Sequence, residues 1–83
     1  MSKARAKVLE DMRRNPKNIR FSDLCRVCEH FFGPHRQSGG SHRLYSVSLK
    51  GRPPIDIQEG ENGKAEAYQV KQVLQTLVDL GLI

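Results

Sequence analysis

The spacing of the apolar residues changes twice along the chain, and these changes limit the folds open to it. In FSDLCRVCEHFF, residues 21–32, the apolar side chains recur at helical spacing. Between residues 42 and 49 they alternate, which is typical of a half-buried strand. The closing segment KAEAYQVKQVLQTLVDLGLI returns to helical spacing. This order predicts an α+β chain with a region of strands between two helices.

Capping and helix-breaking residues set the expected ends of the helices. A first, amphipathic helix is predicted to run from a Ser2 cap to about Arg14, where the dipeptide NP ends it. Ser22 is predicted to cap the second helix. The dipeptide GP at residues 33–34 is predicted to end that helix.

The predicted sheet has three antiparallel strands. A short strand at 35–37, the turn SGGS and a strand at 42–49 form a hairpin, because adjacent glycines permit the positive φ of a tight turn. A third strand is expected at 54–58. Residues 20–82 should therefore form an α-β-β-β-α unit, with two helices on one face of the sheet and the other face open. Residues 1–18 add a basic N-terminal helix, and all 83 residues form one domain.

The alternation in the second strand assigns its side chains to two faces. The face toward the helices is expected to carry Tyr45, Val47 and Leu49. The solvent face is expected to carry His42, Leu44, Ser46 and Ser48. On the last helix, the packed face is predicted to consist of Ala67, Val70, Leu74, Leu77 and Val78.

Positive charge is concentrated in two regions. Residues 1–20 contain seven basic and two acidic side chains, and their net charge of +5 equals that of the whole chain. Four further bases lie in or beside the hairpin, at Arg36, Arg43, Lys50 and Arg52. Such regions attract a polyanion by counterion release. Solvated surface charge explains the same pattern equally well.

No segment predicts a membrane location or export. The apolar runs fall far short of the roughly 20 residues of a membrane-spanning helix. The basic N-terminus is not followed by the apolar stretch of a signal peptide. Two cysteines are too few for a disulfide framework. A cytoplasmic protein without membrane contact is therefore expected.

Two alternative kinds of site are weaker than their motifs suggest. Cys25 and Cys28, followed by His30 and His35, resemble a zinc ligand set. Both cysteines fall within the apolar stripe of the second helix, so they are interpreted as core residues and no metal is expected. The SGGS turn precedes a strand rather than a helix, which argues against a phosphate-binding P-loop. No elbow motif supports Ser41 as a nucleophile.

The remaining candidate is His42, which has basic neighbours in the hairpin. An imidazole can transfer protons near neutral pH, as cleavage of RNA through its 2′-hydroxyl requires. Arg36, Arg43 and Lys50 are predicted to hold the phosphate, and the Gly39-Gly40 backbone is predicted to approach it closely. The group that shares proton transfer with His42 is not identified by the sequence.

The stretch GGSHRLY, preceded by FSDLCRVCEHFFG and followed by AYQVKQVLQTLVDLGL, resembles the HicA family of toxins. The likeness covers roughly residues 20–82. It implies a double-stranded-RNA-binding-domain-like α-β-β-β-α fold with an additional N-terminal helix. It also implies an mRNA interferase that needs no metal, with His42 as the catalytic residue and Ser41 beside it as an RNA-binding residue. A HicB-type antitoxin is the implied protein partner, and mRNA the implied substrate.

The chain departs from the family after the third strand, where it is acidic and lacks a proline found there in HicA proteins. RNA contacts are therefore expected from the hairpin and the N-terminal helix. Two alternatives stay open. In the first alternative to the nuclease, the chain is a module that binds double-stranded RNA without cutting it, through Lys64 and Lys71. In the second, it is a protein-interaction domain without activity.

Overall fold

The computed structural model describes residues 3–37, 42–48 and 51–83. Within these ranges the chain is α+β, with three α-helices and a three-stranded antiparallel sheet. The helices are α1 (Lys3–Arg14), α2 (Phe21–Phe32) and α3 (Ala67–Asp79). The strands are β1 (Arg36–Gln37), β2 (Arg43–Tyr45) and β3 (Ile55–Ile57). Two 3₁₀ turns occupy Pro16–Asn18 and Glu61–Gly63. The predicted α+β class is confirmed.

The prediction that Ser22 caps the second helix is wrong, because α2 begins at Phe21 with Arg20 as its capping residue. The Arg20 carbonyl accepts the N–H of Leu24 at 3.1 Å, and no side chain caps the helix. Arg20 has extended backbone and pairs with Lys64 in an isolated bridge, so the helix follows directly after it. The predicted end is confirmed, since Gly33 has φ 89, in the left-handed region that favours glycine.

The sheet has the order β1-β2-β3, and its middle strand is shorter than predicted. Leu44 lies between Arg36 on β1 and Asp56 on β3, and Tyr45 lies opposite Ile55. If the register is continued past Tyr45, Ser46 falls opposite Pro54 and Val47 falls opposite Pro53. Proline has no N–H to donate, so the ladder ends there.

One face of the sheet is covered by helices, and the other, called the open face below, is not covered by any helix of the described residues. Tyr45, Ile55 and Ile57 are buried on the covered face, against α2 and α3. Val47 is half-buried and packs against the same core, as predicted. Ser46 and Ser48 are exposed, also as predicted, whereas His42 and Leu44 are half-buried. The predicted core residue Leu49 and the predicted Ser2 cap lie outside the described residues.

The N-terminal helix is part of the core. Leu9 and Met12 of α1 are buried, as is Ile19 in the segment that follows. The helix packs on both α2 and α3. Because α2 and α3 also cover the sheet, α1 forms a third layer of the domain.

The buried face of α3 differs from the predicted one. Its buried residues are Gln69, Val70, Val73, Thr76 and Leu77. Val78, which was expected in the core, is 53% exposed because it lies one position, or about 100°, past Leu77. Ala67 and Leu74 are half-buried at the border of the face. Buried Gln69 accepts the Gln58 N–H at 3.0 Å and so ties α3 to the end of β3.

None of the helices in the described residues is long and apolar enough to cross a membrane.

Candidate active site

The open face of the sheet brings together a histidine, an aspartate and an arginine, which are His42, Asp56 and Arg36. Arg36, Leu44 and Asp56 form one row across the three strands, because they are direct partners in the register. His42 lies two residues before Leu44 and therefore on the same face. If the register is continued by one residue before Arg43, His42 falls opposite Gln58, the residue after β3.

His42 and Asp56 form a hydrogen-bonded pair on this face. His42 Nδ1 lies 3.0 Å from Asp56 Oδ1, and the two side chains are 40% and 50% exposed. An ionised carboxylate only accepts hydrogen bonds, so Nδ1 carries the hydrogen and donates it. In the neutral ring the lone pair is then on Nε2. Nε2 has no hydrogen-bond partner among the described residues. The carboxylate thus orients the ring and leaves its reactive nitrogen available.

Asp56 is the candidate site residue that sequence reasoning missed. It stands between Ile55 and Ile57, both buried in the core. Since successive side chains of a strand alternate, burial of the two isoleucines forces Asp56 onto the open face. That alternation is visible in the sequence. The pairing of β3 with β2, which brings Asp56 to His42, is not local in sequence.

Arg36 is the predicted phosphate ligand that the structure places beside His42. It is exposed and has no ion-pair partner within the ranges that the structure describes. As the partner of Leu44, it is the diagonal neighbour of His42, a relation that separates backbone positions by about 7–8 Å. A phosphate group fits between an arginine and an imidazole at that spacing.

Arg43 is not brought together with His42, because adjacent residues of a strand point to opposite faces. Its guanidinium carbon lies 5.7 Å from the centre of the Phe21 ring. Its Nη1 lies 3.8 Å from Glu29 Oε2, so the side chain connects β2 to α2 on the covered face. The structure therefore gives Arg43 a position in packing, away from the open face.

The four other predicted contacts, Gly39, Gly40, Ser41 and Lys50, lie outside the described residues. Their role in binding RNA stays a prediction. Arg52, the remaining base near the hairpin, donates to Asp79 Oδ2 at 2.7 Å. This pair attaches the segment before β3 to the end of α3.

Tyr45 anchors β2 to the helices on the covered face of the sheet. Its hydroxyl donates to Glu29 Oε2 at 3.4 Å, and its ring lies 6.5 Å from that of Phe32 and 5.9 Å from that of His35. Burial raises the pKa of Tyr45, so the hydroxyl stays a hydrogen-bond donor. This contact positions β2, and with it His42, on the two-helix layer.

The cysteines occupy the core, as predicted. Cys25 and Cys28 are both free and buried. Burial raises the pKa of both thiols, which keeps them protonated and poor metal ligands. Among the described residues, no group of three or more His, Cys, Asp or Glu side chains is placed to hold a metal ion. His30 instead contacts the edge of Phe31, with ring centres 4.8 Å apart.

Comparison with known proteins finds no matching family model, no matching curated protein and no matching solved structure. The chemistry of the open face is therefore the basis for assigning a function.

Proposed function

We propose that this protein is an endoribonuclease that cleaves mRNA and acts as the toxin of a toxin–antitoxin pair. The observation that carries the proposal is the His42–Asp56 pair on the open face of the sheet. A histidine oriented by a carboxylate is a common device for general acid–base catalysis. Arg36 beside it, which forms no ion pair with the described residues, supplies positive charge for a phosphate.

His42 acts as the general base. Its Nε2 accepts the proton of the 2′-hydroxyl, and the 2′-oxygen attacks the adjacent phosphorus. The bond from phosphorus to the 5′-oxygen breaks, and water donates a proton to that leaving oxygen. The hydroxide that remains takes the proton from the His42 imidazolium, which restores the enzyme. The products are a 2′,3′-cyclic phosphate and a 5′-hydroxyl. Asp56 stabilises the imidazolium while it exists.

Arg36 binds the phosphate that is attacked. Negative charge grows on the non-bridging oxygens in the transition state, and a guanidinium donates two parallel hydrogen bonds to such oxygens. Proton transfer and charge neutralisation are both supplied by side chains of the open face. The proposed reaction therefore requires no metal ion or cofactor.

The element order α2-β1-β2-β3-α3 supports the finer assignment to a double-stranded-RNA-binding-domain-like fold, with α1 as the added N-terminal helix. With the resemblance of GGSHRLY to the HicA signature, it favours one HicA-like domain over residues 1–83, acting in the cytoplasm. A HicB-type antitoxin would inhibit such an enzyme by covering the open face. Blocking His42 and Arg36 together is sufficient for inhibition.

The proposal is tested with purified wild type and His42→Ala on end-labelled RNA in the presence of EDTA. Wild type is expected to cleave and His42→Ala to be inactive, with the same melting temperature. His30→Ala is the matched control, because His30 is an exposed histidine on α2 away from the open face. Equal cleavage by His42→Ala contradicts the assignment. RNA binding without cleavage by wild type favours the alternative of a non-catalytic RNA-binding module.

A further inference from the structure

A short ladder beyond β3 carries two basic side chains that the proposed cleavage step does not use. Glu59 pairs with Ala65, and Lys64 pairs with Arg20, both in antiparallel bridges. The Ala65 N–H donates to the Ile19 carbonyl at 2.8 Å. The sheet is thereby extended past β3 by two short segments, one preceding α3 and the other preceding α2.

Burial shows which way the side chains of these segments project. Ala65 and Ile19 are 6% and 3% exposed and belong to the core. Successive residues of an extended segment alternate between faces, and the two partners of an antiparallel bridge share a face. Lys64 and Arg20 therefore project together, away from the core, at the edge of the sheet beyond β3, where they line a groove with residues of α1 and α2. Both are exposed.

Neither cation is neutralised by a carboxylate. Arg20 and Lys64 form no ion pair with any of the residues that the structure describes. The Lys64 ammonium donates to the side-chain oxygen of Asn18, which leaves two of its three N–H groups for another acceptor. The Lys64 ammonium is thereby positioned and still able to bind an anion.

The carboxylates that line a groove with Arg20 and Lys64 are already paired. Asp11 lies 3.0 Å from the Lys7 ammonium, and Asp23 lies 3.5 Å from Arg26. Their charges are offset by these partners. This groove therefore keeps the positive charge of Arg20 and Lys64, whereas a neighbouring groove that Lys64 also lines sets Lys17 against Glu61 and Glu66.

We propose that Arg20 and Lys64 form a second phosphate-binding subsite for the RNA strand that His42 cleaves. The inference rests on the proposed nuclease function. Neighbouring strands lie about 4.8 Å apart, so the Lys64 segment is about 10 Å from β2. Because Lys64 also lies two residues farther along the strand direction, it is about 12 Å from His42, which suits a phosphate about two nucleotides from the one attacked. Arginine and lysine are the usual phosphate ligands. With Arg36 on the β1 side, these residues mark a diagonal path for the RNA strand across the sheet.

The test measures binding of a fluorescent single-stranded RNA in the inactive His42→Ala background. Removing two phosphate contacts with Arg20→Gln and Lys64→Gln should reduce the slope of log affinity against log salt by about 1.4. At about 0.1 M monovalent salt this corresponds to about 25-fold weaker binding. The matched control is Arg26→Gln with Arg52→Gln, two bases on α2 and before β3 that remove the same net charge and lie outside the residues predicted to bind RNA. The control is expected to keep nearly the full slope.

Equal slopes for the two double variants overturn the subsite, whether or not wild type cleaves RNA. A smaller slope of log affinity against log salt for Arg20→Gln/Lys64→Gln than for the control supports the subsite even if wild type proves inactive. In that case only the nuclease assignment fails. Arg20→Gln alone should lower the slope by about 0.7 and replaces the double variant if the latter does not fold. Melting curves of each variant establish that the fold is intact.

Discussion

Replacing Asp56 by asparagine keeps the shape of the side chain and removes the charge that faces His42. Two unit charges about 4 Å apart interact with about 1 kcal/mol in water and about 4 kcal/mol at an effective dielectric constant near 20. The His42 and Asp56 side chains are 40% and 50% exposed, which places the pair between these limits. An ion pair this exposed contributes about 1 kcal/mol or less, so removing its charge slows proton transfer by up to about 5-fold.

The assay is single-turnover cleavage at saturating enzyme, which separates the chemical step from RNA binding. Asp56→Asn is expected to cleave about 2- to 5-fold more slowly than wild type and to bind RNA no more weakly, since a negative charge is removed. Asp79→Asn is the matched control, because it also removes a surface carboxylate and breaks an ion pair, one that lies at the end of α3. Unchanged cleavage by Asp56→Asn would refute the role of Asp56. An equal loss in both variants would indicate a general effect on the fold.

Two further predictions concern stability. Leu77→Ala should reduce the free energy of unfolding by about 2–5 kcal/mol, because Leu77 is fully buried, while Val78→Ala should change it by less than about 0.5 kcal/mol. Urea unfolding checks both, and equal losses would contradict the orientation of α3. The hydrogen bond from Arg52 holds the pKa of Asp79 below its ordinary value of 3.8, so the pair stabilises the folded state above that pH and loses this effect as the pH falls below it. The stability difference between wild type and Asp79→Asn should therefore shrink on acidification from about pH 5 to about pH 3, and a constant difference would contradict the ion pair.

Local signals in the sequence predict where the regular elements lie but not how long each one is. Gly33 ends α2 because its left-handed φ suits glycine, and that signal is visible without a structure. The end of β2 depends on Pro53 and Pro54, which matter only once the register sets them opposite β2. The start of α2 depends on the bridge between Arg20 and Lys64, whose partners are far apart in sequence. Non-local pairing therefore overrides the local preference for Ser22 as a cap.

The candidate site also depends partly on local sequence signals and partly on non-local pairing. Alternation in β2 is sufficient to separate Tyr45 on the core face from His42 on the other. It also separates His42 from Arg43, so the basic residues near the hairpin do not act as one cluster. The partner of His42 could not be predicted, because Asp56 reaches it only through the pairing of β3 with β2. The residue types thus indicate the chemistry of the site, whereas the register of the sheet determines its geometry.

We propose above that His42 removes the proton of a ribose 2′-hydroxyl so that this oxygen can attack the phosphate. The most direct measurement compares cleavage by wild type of an all-ribose oligonucleotide with that of the same oligonucleotide carrying one 2′-deoxyribose at the mapped cleavage position. If His42 acts in this way, the all-ribose product ends in a 2′,3′-cyclic phosphate and the substituted position is not cleaved. Cleavage of both substrates at the same rate would contradict it.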